Sequence, residues 1–345
     1  MTTRNRLLSL QSRPDGRLKA SDLVMTTRLV PALRAGEVLV RNTWLSIDPS
    51  IRIRLRSSTP NGYLPPFKPG EPLVGLALGV VEESRNSEFA PGDTVSHMYG
   101  YRDYAVIGTD GATIGGYGSL SRFDGGELPS QWFLGPLGSS GLTAYAGLFG
   151  VAGLRPTDTL WVSAAAGAVG SIAAQLAQQR GATVIGSAGS PQKVSYLLDE
   201  LGLDAAFDYH EGPITDLLAK AAPAGIDVYF DNVGSEHLAA ALDNMRPGGR
   251  VAVCGALSDY DNATAAPGPT NLFQLVSKGI RVEGFRAGSF NHLATEMRTE
   301  IGGYLREGRM KYSELVFDGL EQAPVALTAM LAGDNTGKTL VRLEP

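Results

Sequence analysis

From Ala165 to Gly170 the chain reads Ala-Ala-Gly-Ala-Val-Gly, a G-x-G-x-x-G turn whose first glycine is replaced by alanine. The chemistry open to such a turn is the capture of a pyrophosphate. Gly167 lets the backbone approach the phosphates, and Gly170 lets the following helix pack against the preceding strand. Ala168 and Val169 open that helix, whose free N–H groups and positive dipole end attract the anion. The apolar TLWVSA before the turn reads as a strand. SIAAQLAQQRG after it reads as a helix that begins near Ala168 and stops at Gly181. A contact of small residues would read similarly, but it would not require the strand–turn–helix order found here. The uncharged stretch Ser163–Ala177 also approaches the length of a membrane span. A spanning helix needs roughly 20 predominantly apolar residues, and this one is rich in Ala, Gly, Ser and Gln.

The end of the next strand decides which dinucleotide fits. An NAD site places a carboxylate there for the adenosine ribose 2′-hydroxyl. No Asp or Glu lies between Gly181 and Leu198; Gly186, Ser187, Gly189 and Ser190 are followed by Lys193. Hydroxyls and a lysine favour a 2′-phosphate, so NADP(H) is the expected cofactor, although Lys193 also reads as a solvated helix-surface lysine. Tyr260, in SDYDN after the strand RVAVCG, is the candidate proton donor, at the carboxyl edge where doubly wound sheets bind ligands. It reads equally as a ribose-binding or packing tyrosine. Cys254 reads as small core filler before it reads as a nucleophile. Asp48 is either a polar pocket residue or the cap of an Asp-Pro turn. Tyr63, Phe67, Tyr101 and Tyr104 line a pocket or fill a core.

Around these residues the elements fall into two blocks, and 345 residues are too many for one comfortable core. From Arg4 to about Leu120, short apolar runs are broken by Pro, Gly, Asn and Asp, a β-rich pattern. From about Gly141 strand alternates with helix six times, as in a parallel, doubly wound α/β sheet with both faces covered. Ser190 and Pro191 mark one helix start as N-cap and first position, and Gly202 its stop. The segment ending GKTLVRLEP returns to strand and completes the first domain. A formal net charge of −5, with no block of like charge, argues against a nucleic-acid partner. A single cysteine excludes an internal disulfide and a multi-cysteine zinc cluster. His97, His210, His237 and His292 lack the spacing of a helical metal site, so no metal is expected. The opening MTTRNRLLSLQSRPDG has no apolar stretch of signal-peptide length; no membrane association and a cytoplasmic location are the expectations.

Several ordered motifs resemble the zinc-free branch of the medium-chain dehydrogenase/reductase superfamily that holds the prostaglandin reductases and alkenal double-bond reductases. LSIDPSIR, YLPPFKPGEPL, LGSSGLTAYAGL, AAAGAVGS, SPQKVSYL, FDNVG, CGALSDYDN and GDNTGKTLVRL follow one another over almost the whole chain. The resemblance implies a Rossmann domain over residues 129–308 and a chaperonin-10-like (GroES-like) β-barrel domain over 1–128 and 309–345, with the active site in a cleft. It implies cofactor contacts at Gly167, Ala168, Val169, Gly170, Gly189, Lys193, Tyr209 and Asn232. It extends them to Cys254, Gly255, Ala256, Ser258, Tyr260, Phe285, Arg286, Ala287 and Asn335. Asp48, Ser50, Tyr63 and Leu142 fall in the implied substrate pocket. Ser50 stands where the family motif has Tyr after Asp-Pro, and Leu142 where it usually has Met, so the substrate is less constrained than the chemistry. A homodimer through the edge strand of the nucleotide domain is a further implication.

Zinc-dependent alcohol oxidation needs Cys or His ligands to polarise oxygen, and the β-rich block has no Cys and only His97. The remaining chemistry is hydride transfer from NADPH to an acceptor that activates itself. An enone or enal qualifies: hydride at the β-carbon gives an enolate, and a proton then reaches the α-carbon. Competing expectations are a quinone reductase of the same superfamily and an NADPH-binding protein without turnover.

Overall fold

The computed structural model describes residues 3–108, 120–260 and 267–343. By internal contacts the chain divides into two compact units. One holds Met1–Leu134, Glu314–Asn335 and Thr339–Pro345; the other holds Gly135–Ser313 and Thr336–Lys338.

The second unit is a six-stranded sheet: β1 (Thr159–Val162), β2 (Thr183–Ala188), β3 (Ala205–Asp208), β4 (Ile226–Asp231), β5 (Met245–Val253) and β6 (Arg281–Gly284). The strand order is β3-β2-β1-β4-β5-β6, and every pairing is parallel. Parallel strands covered on both faces carry continuous apolar runs. Leu160, Trp161 and Val162 are accordingly fully buried, as are Val228, Tyr229 and Phe230 beside them. Trp161 stacks on Tyr229 with ring centroids 4.3 Å apart. The strand order reverses between β1 and β4, and in such sheets the crevice outside the carboxyl ends at that point is where ligands bind. The sequence pattern runs the preceding helix through SEHLAAALDNMRPGG, but the helix ends at Asn244 and β5 begins at Met245. Its pairing with β4 shifts register between Ile226 and Val228, which absorbs the two glycines.

The first unit is β-rich. Arg4–Leu10 pairs antiparallel with Leu23–Leu29. A seven-stranded sheet runs in the order Glu314–Asp318, Lys338–Arg342, Glu37–Ser46, Ala77–Ser84, Thr94–His97, Ser121–Arg122, with Tyr104–Gly108 added to Glu37–Ser46. Its core gathers Leu8, Leu10, Leu45, Ile47, Leu55 and Leu73 with Leu327 and Val341 from the end of the chain. Among the described residues no helix is long and apolar enough to cross a membrane.

Candidate dinucleotide site

The helix Ala168–Gln179 starts directly after Gly167, which is extended and offers no side-chain cap. The first-turn amides are therefore left for another acceptor. A Cβ on Gly170 would lie 2.8 Å from the Ala165 Cα, so only glycine permits this approach of helix to strand end. The left-handed residue of the turn is Ala164, with φ +48°, one position before the alanine that replaces the first motif glycine. The turn is tied down on two sides, by Ala165 N–H to Ser187 O (3.0 Å) and by Gly337 N–H to Ala166 O (2.7 Å). The stretch Thr336–Lys338 thus lies along the glycine turn. Asn335, just before it, is half-buried.

At the end of β2, Ser190 caps the helix Pro191–Ser195 by accepting from the Lys193 N–H at 3.3 Å, and Lys193 is half-buried. The Tyr209 hydroxyl lies 2.8 Å from the place a Cβ on Gly189 would take, so the phenol covers that glycine. Burial followed by the Asp208 carboxylate raises the Tyr209 pKa and keeps the hydroxyl protonated. Behind it the buried His237 ring meets Tyr209 edge-on at 5.2 Å and stacks on Trp161 at 5.8 Å. Burial pushes His237 down to about 4.

At the ends of β4 and β5 the groups are buried and bonded to one another. Asp231 Oδ1 accepts from Tyr229 Oη (2.8 Å), Val233 N (3.0 Å) and Gly234 N (2.7 Å). Ser163 Oγ donates to Tyr229 Oη (2.9 Å) and accepts from Asn232 N (3.0 Å), and Asn232 Nδ2 donates to Ser163 O (2.7 Å). Asn232 is only 7% exposed, with its amide nitrogen committed inward. The loop after β5 is laced to this network. Cys254 and Gly255 N–H donate to Asp231 O, Leu257 N–H to Asn232 O, and Ser258 N–H and Oγ to Val233 O. Burial raises the Asp231 pKa. Burial and the nearby Asp231 push the Cys254 thiol up to about 12.

Tyr260 closes a short turn, Leu257–Asp259, after Ala256, and is half-buried. Its hydroxyl folds back to 3.4 Å from where a Cβ on Gly255 would sit. Asp261 and Asn262 of the SDYDN motif lie outside the described residues. Phe285 bonds back to Val253 O (3.3 Å) and meets Phe230 and Phe290 edge-to-face at 6.3 and 6.1 Å. Arg286 is exposed and Ala287 buried. Leu142 is buried on the helix Ser139–Tyr145.

In the β-rich unit, Asp48 Oδ2 accepts from Ser46 Oγ at 2.6 Å, and Ser50 begins the short helix Ser50–Arg54. Tyr63 is half-buried. Phe67 and Tyr101 belong to the core, which answers the choice between pocket and packing for those two. The Arg54 guanidinium sits 3.9 Å over the Phe67 ring, and burial lowers its pKa to about 10. His97 is fully buried with Nδ1 accepting from Tyr99 N–H, and burial pushes it down to about 3. Among the described residues no three His, Cys, Asp or Glu side chains converge as a metal ion needs.

Sequence reading left out Ser163, Tyr229 and Asp231, whose partners lie as many as 69 residues away. It also left out His210, whose Nδ1 lies 3.0 Å from Asp208 Oδ1. The residues present fit a phosphorylated dinucleotide: uncapped amides at the glycine turn, then a hydroxyl, a lysine and a phenol at the end of β2.

Comparison with known proteins agrees. A family model described as the N-terminal domain of oxidoreductase matches residues 6–114, and one described as zinc-binding dehydrogenase matches 168–301. The chain is 38% identical to the NADP(+)-dependent 2-alkenal reductase of Nicotiana tabacum, over 98% of this chain and 97% of that protein. It is 36% identical to the NADPH-dependent curcumin reductase of Escherichia coli, over 99% and 97%. The crystal structure of CurA in complex with NADPH from Vibrio vulnificus superposes with a TM-score of 0.90 at 33% identity, covering 99% of both chains. The chain belongs to the medium-chain dehydrogenase/reductase family, in the branch of the alkenal, prostaglandin and curcumin reductases.

Proposed function

We propose that this protein is an NADPH-dependent reductase of the C=C bond of α,β-unsaturated ketones and aldehydes. The observation that carries the reading is the end of β2. It has no carboxylate, Ser190 caps the next helix, Lys193 follows, and the Tyr209 phenol covers Gly189. The relatives named above support it, since their names specify NADP(H) and an unsaturated substrate.

NADPH, when bound, supplies the hydride that reaches the β-carbon. The chain's own residues do the rest. The amides of Ala168, Val169 and Gly170 hold the pyrophosphate. The Asp231–Ser163–Asn232 network fixes the loop Cys254–Tyr260, and Phe230 and Phe290 fix Phe285. Tyr260 would donate a hydrogen bond to the developing oxyanion of the substrate, or hold the cofactor's ribose hydroxyl in place. Asp48, Ser50, Tyr63 and Leu142 are the proposed substrate contacts. The conjugated carbonyl spreads the negative charge, so the reaction proceeds without a metal.

A second copy of the chain is the proposed partner, pairing along the edge strand β6. Arg281–Gly284 is exposed along its length, and Phe273 and Val276 nearby are 76% and 74% exposed. The cytoplasm is the proposed location. The test is a spectrophotometric screen of enones, enals and quinones with NADPH and with NADH, before and after exhaustive chelation. Turnover of enones with NADPH, undiminished by chelation, is the expected result. Turnover of quinones alone, NADH used as well as NADPH, or activity lost on chelation and restored by zinc would each overturn a named part of the reading.

A further inference from the structure

β3 is the neighbour of β2 at the outer edge of the sheet, with Asp208 in register with Ala188. The residues just after β3 therefore flank the end of β2, where the adenosine ribose is expected. Tyr209 bonds through its N–H to Ala188 O (3.1 Å) and covers Gly189 with its phenol. His210 follows, its ring 4.2 Å from that of Tyr209. Asp208 Oδ1 accepts from both the backbone N–H and the ring Nδ1–H of His210, each at 3.0 Å. Asp208 is buried, whereas the His210 side chain is 63% exposed. The pair thus anchors one ring nitrogen and leaves Nε2 on the open side. It also ties up the Asp208 carboxylate, which would otherwise repel a phosphate there.

We infer that His210, held by Asp208, is a second contact for the adenosine 2′-phosphate and shares with Lys193 the choice of NADP(H) over NAD(H). The inference rests on the NADPH reading. Held by the carboxylate at Nδ1, the ring presents Nε2 to a phosphate, so that one side chain bridges the two acidic groups. Removing His210 deletes this bridge and frees the Asp208 carboxylate, so the loss falls on the phosphorylated ligand alone.

The test is calorimetric titration of the full chain with 2′,5′-ADP and with 5′-ADP. The wild type is expected to prefer 2′,5′-ADP. His210→Ala should weaken 2′,5′-ADP by about ten- to a hundredfold, the size of a lost bond to a charged group, and leave 5′-ADP unchanged. His210→Lys should restore most of the affinity, and Asp208→Asn added to His210→Ala should recover part of it. Equal effects of His210→Ala on both ligands, or none on either, would overturn the inference while the NADPH reading stands. A wild type that binds the two ligands equally removes the NADPH reading, and the inference with it.

Discussion

The two ends of the candidate dinucleotide site are built on different principles. At the end of β2 the groups are side chains at the surface or half-buried: Lys193, Tyr209 and His210. Around the end of β4 they are buried and bonded to each other: Ser163, Asp231 and Asn232. Exposed groups contribute little to folding, because water meets their hydrogen bonds equally well in the unfolded chain. Buried groups cannot be removed without leaving orphaned donors. The first end can therefore change which cofactor is chosen at no cost to the fold, while the second fixes geometry and stability together.

The contrast can be broken at four places. Tyr260→Phe should have the largest effect: kcat lower by about 10²–10⁴-fold, as for loss of a positioned proton donor, with KM for NADPH little changed. Steady-state kinetics on a simple enone, varying each substrate, measures this. An unchanged kcat, with a deuterated cofactor showing chemistry to be rate-limiting, would make Tyr260 a packing residue. A raised KM for NADPH with kcat preserved would make it a ribose contact.

Asp231→Ala deprives Tyr229, Val233 and Gly234 of their shared acceptor. It should destabilise the fold by about 3–5 kcal/mol in denaturant titrations. Asp231→Asn, which keeps an acceptor in place, should lose much less. Equal losses would show that the charge, not the acceptor, matters there.

His237 links the two ends, since its ring touches both the Trp161 core and Tyr209. Its folded pKa is about 4, below the ordinary 6.5. The folded state thus binds fewer protons than the unfolded state between those values. The stability is present above about pH 6.5 and lost as pH falls through about 4, amounting to about 3 kcal/mol. His237→Phe should keep the stack and flatten that part of the pH–stability curve; a curve of unchanged slope would remove the assignment. His97, lowered to about 3 by burial, acts in the same direction and leaves a residual slope.

Lys193→Ala should raise KM for NADPH about ten- to a hundredfold, leave NADH unchanged, and shift stability by less than about 0.5 kcal/mol. A loss of stability comparable to that of Asp231→Ala would abolish the contrast between the two ends.

What the sequence made legible follows the same division. The strand–helix alternation, the Gly167–Gly170 turn and the Ser190–Pro191 helix start are local patterns, and the structure places a strand, a turn and a capped helix there. The missing carboxylate after β2 was legible because the whole segment is contiguous. The Ser163–Tyr229–Asp231 network was not, because Ser163 lies 66 residues from Tyr229 and meets it only once β1 and β4 pair. The left-handed backbone of Ala164 was also hidden: alanine gives no sign of a positive φ, and the first glycine position of the motif falls one residue later, at Ala165. The helix Ala323–Ala332 was missed because its apolar residues surround it with little periodicity.

Cys254 closes the buried end with a sulfur in the loop that Asp231 secures. A thiol with a pKa of about 12 is thiolate in roughly one molecule in 10⁵ at neutral pH, and the thiolate is the species that attacks electrophiles. Conjugated enones and enals are themselves thiol traps. The burial that holds this loop in place therefore also keeps the chain's lone thiol in its protonated, weakly nucleophilic form, which would slow its alkylation by the enones and enals proposed as substrates.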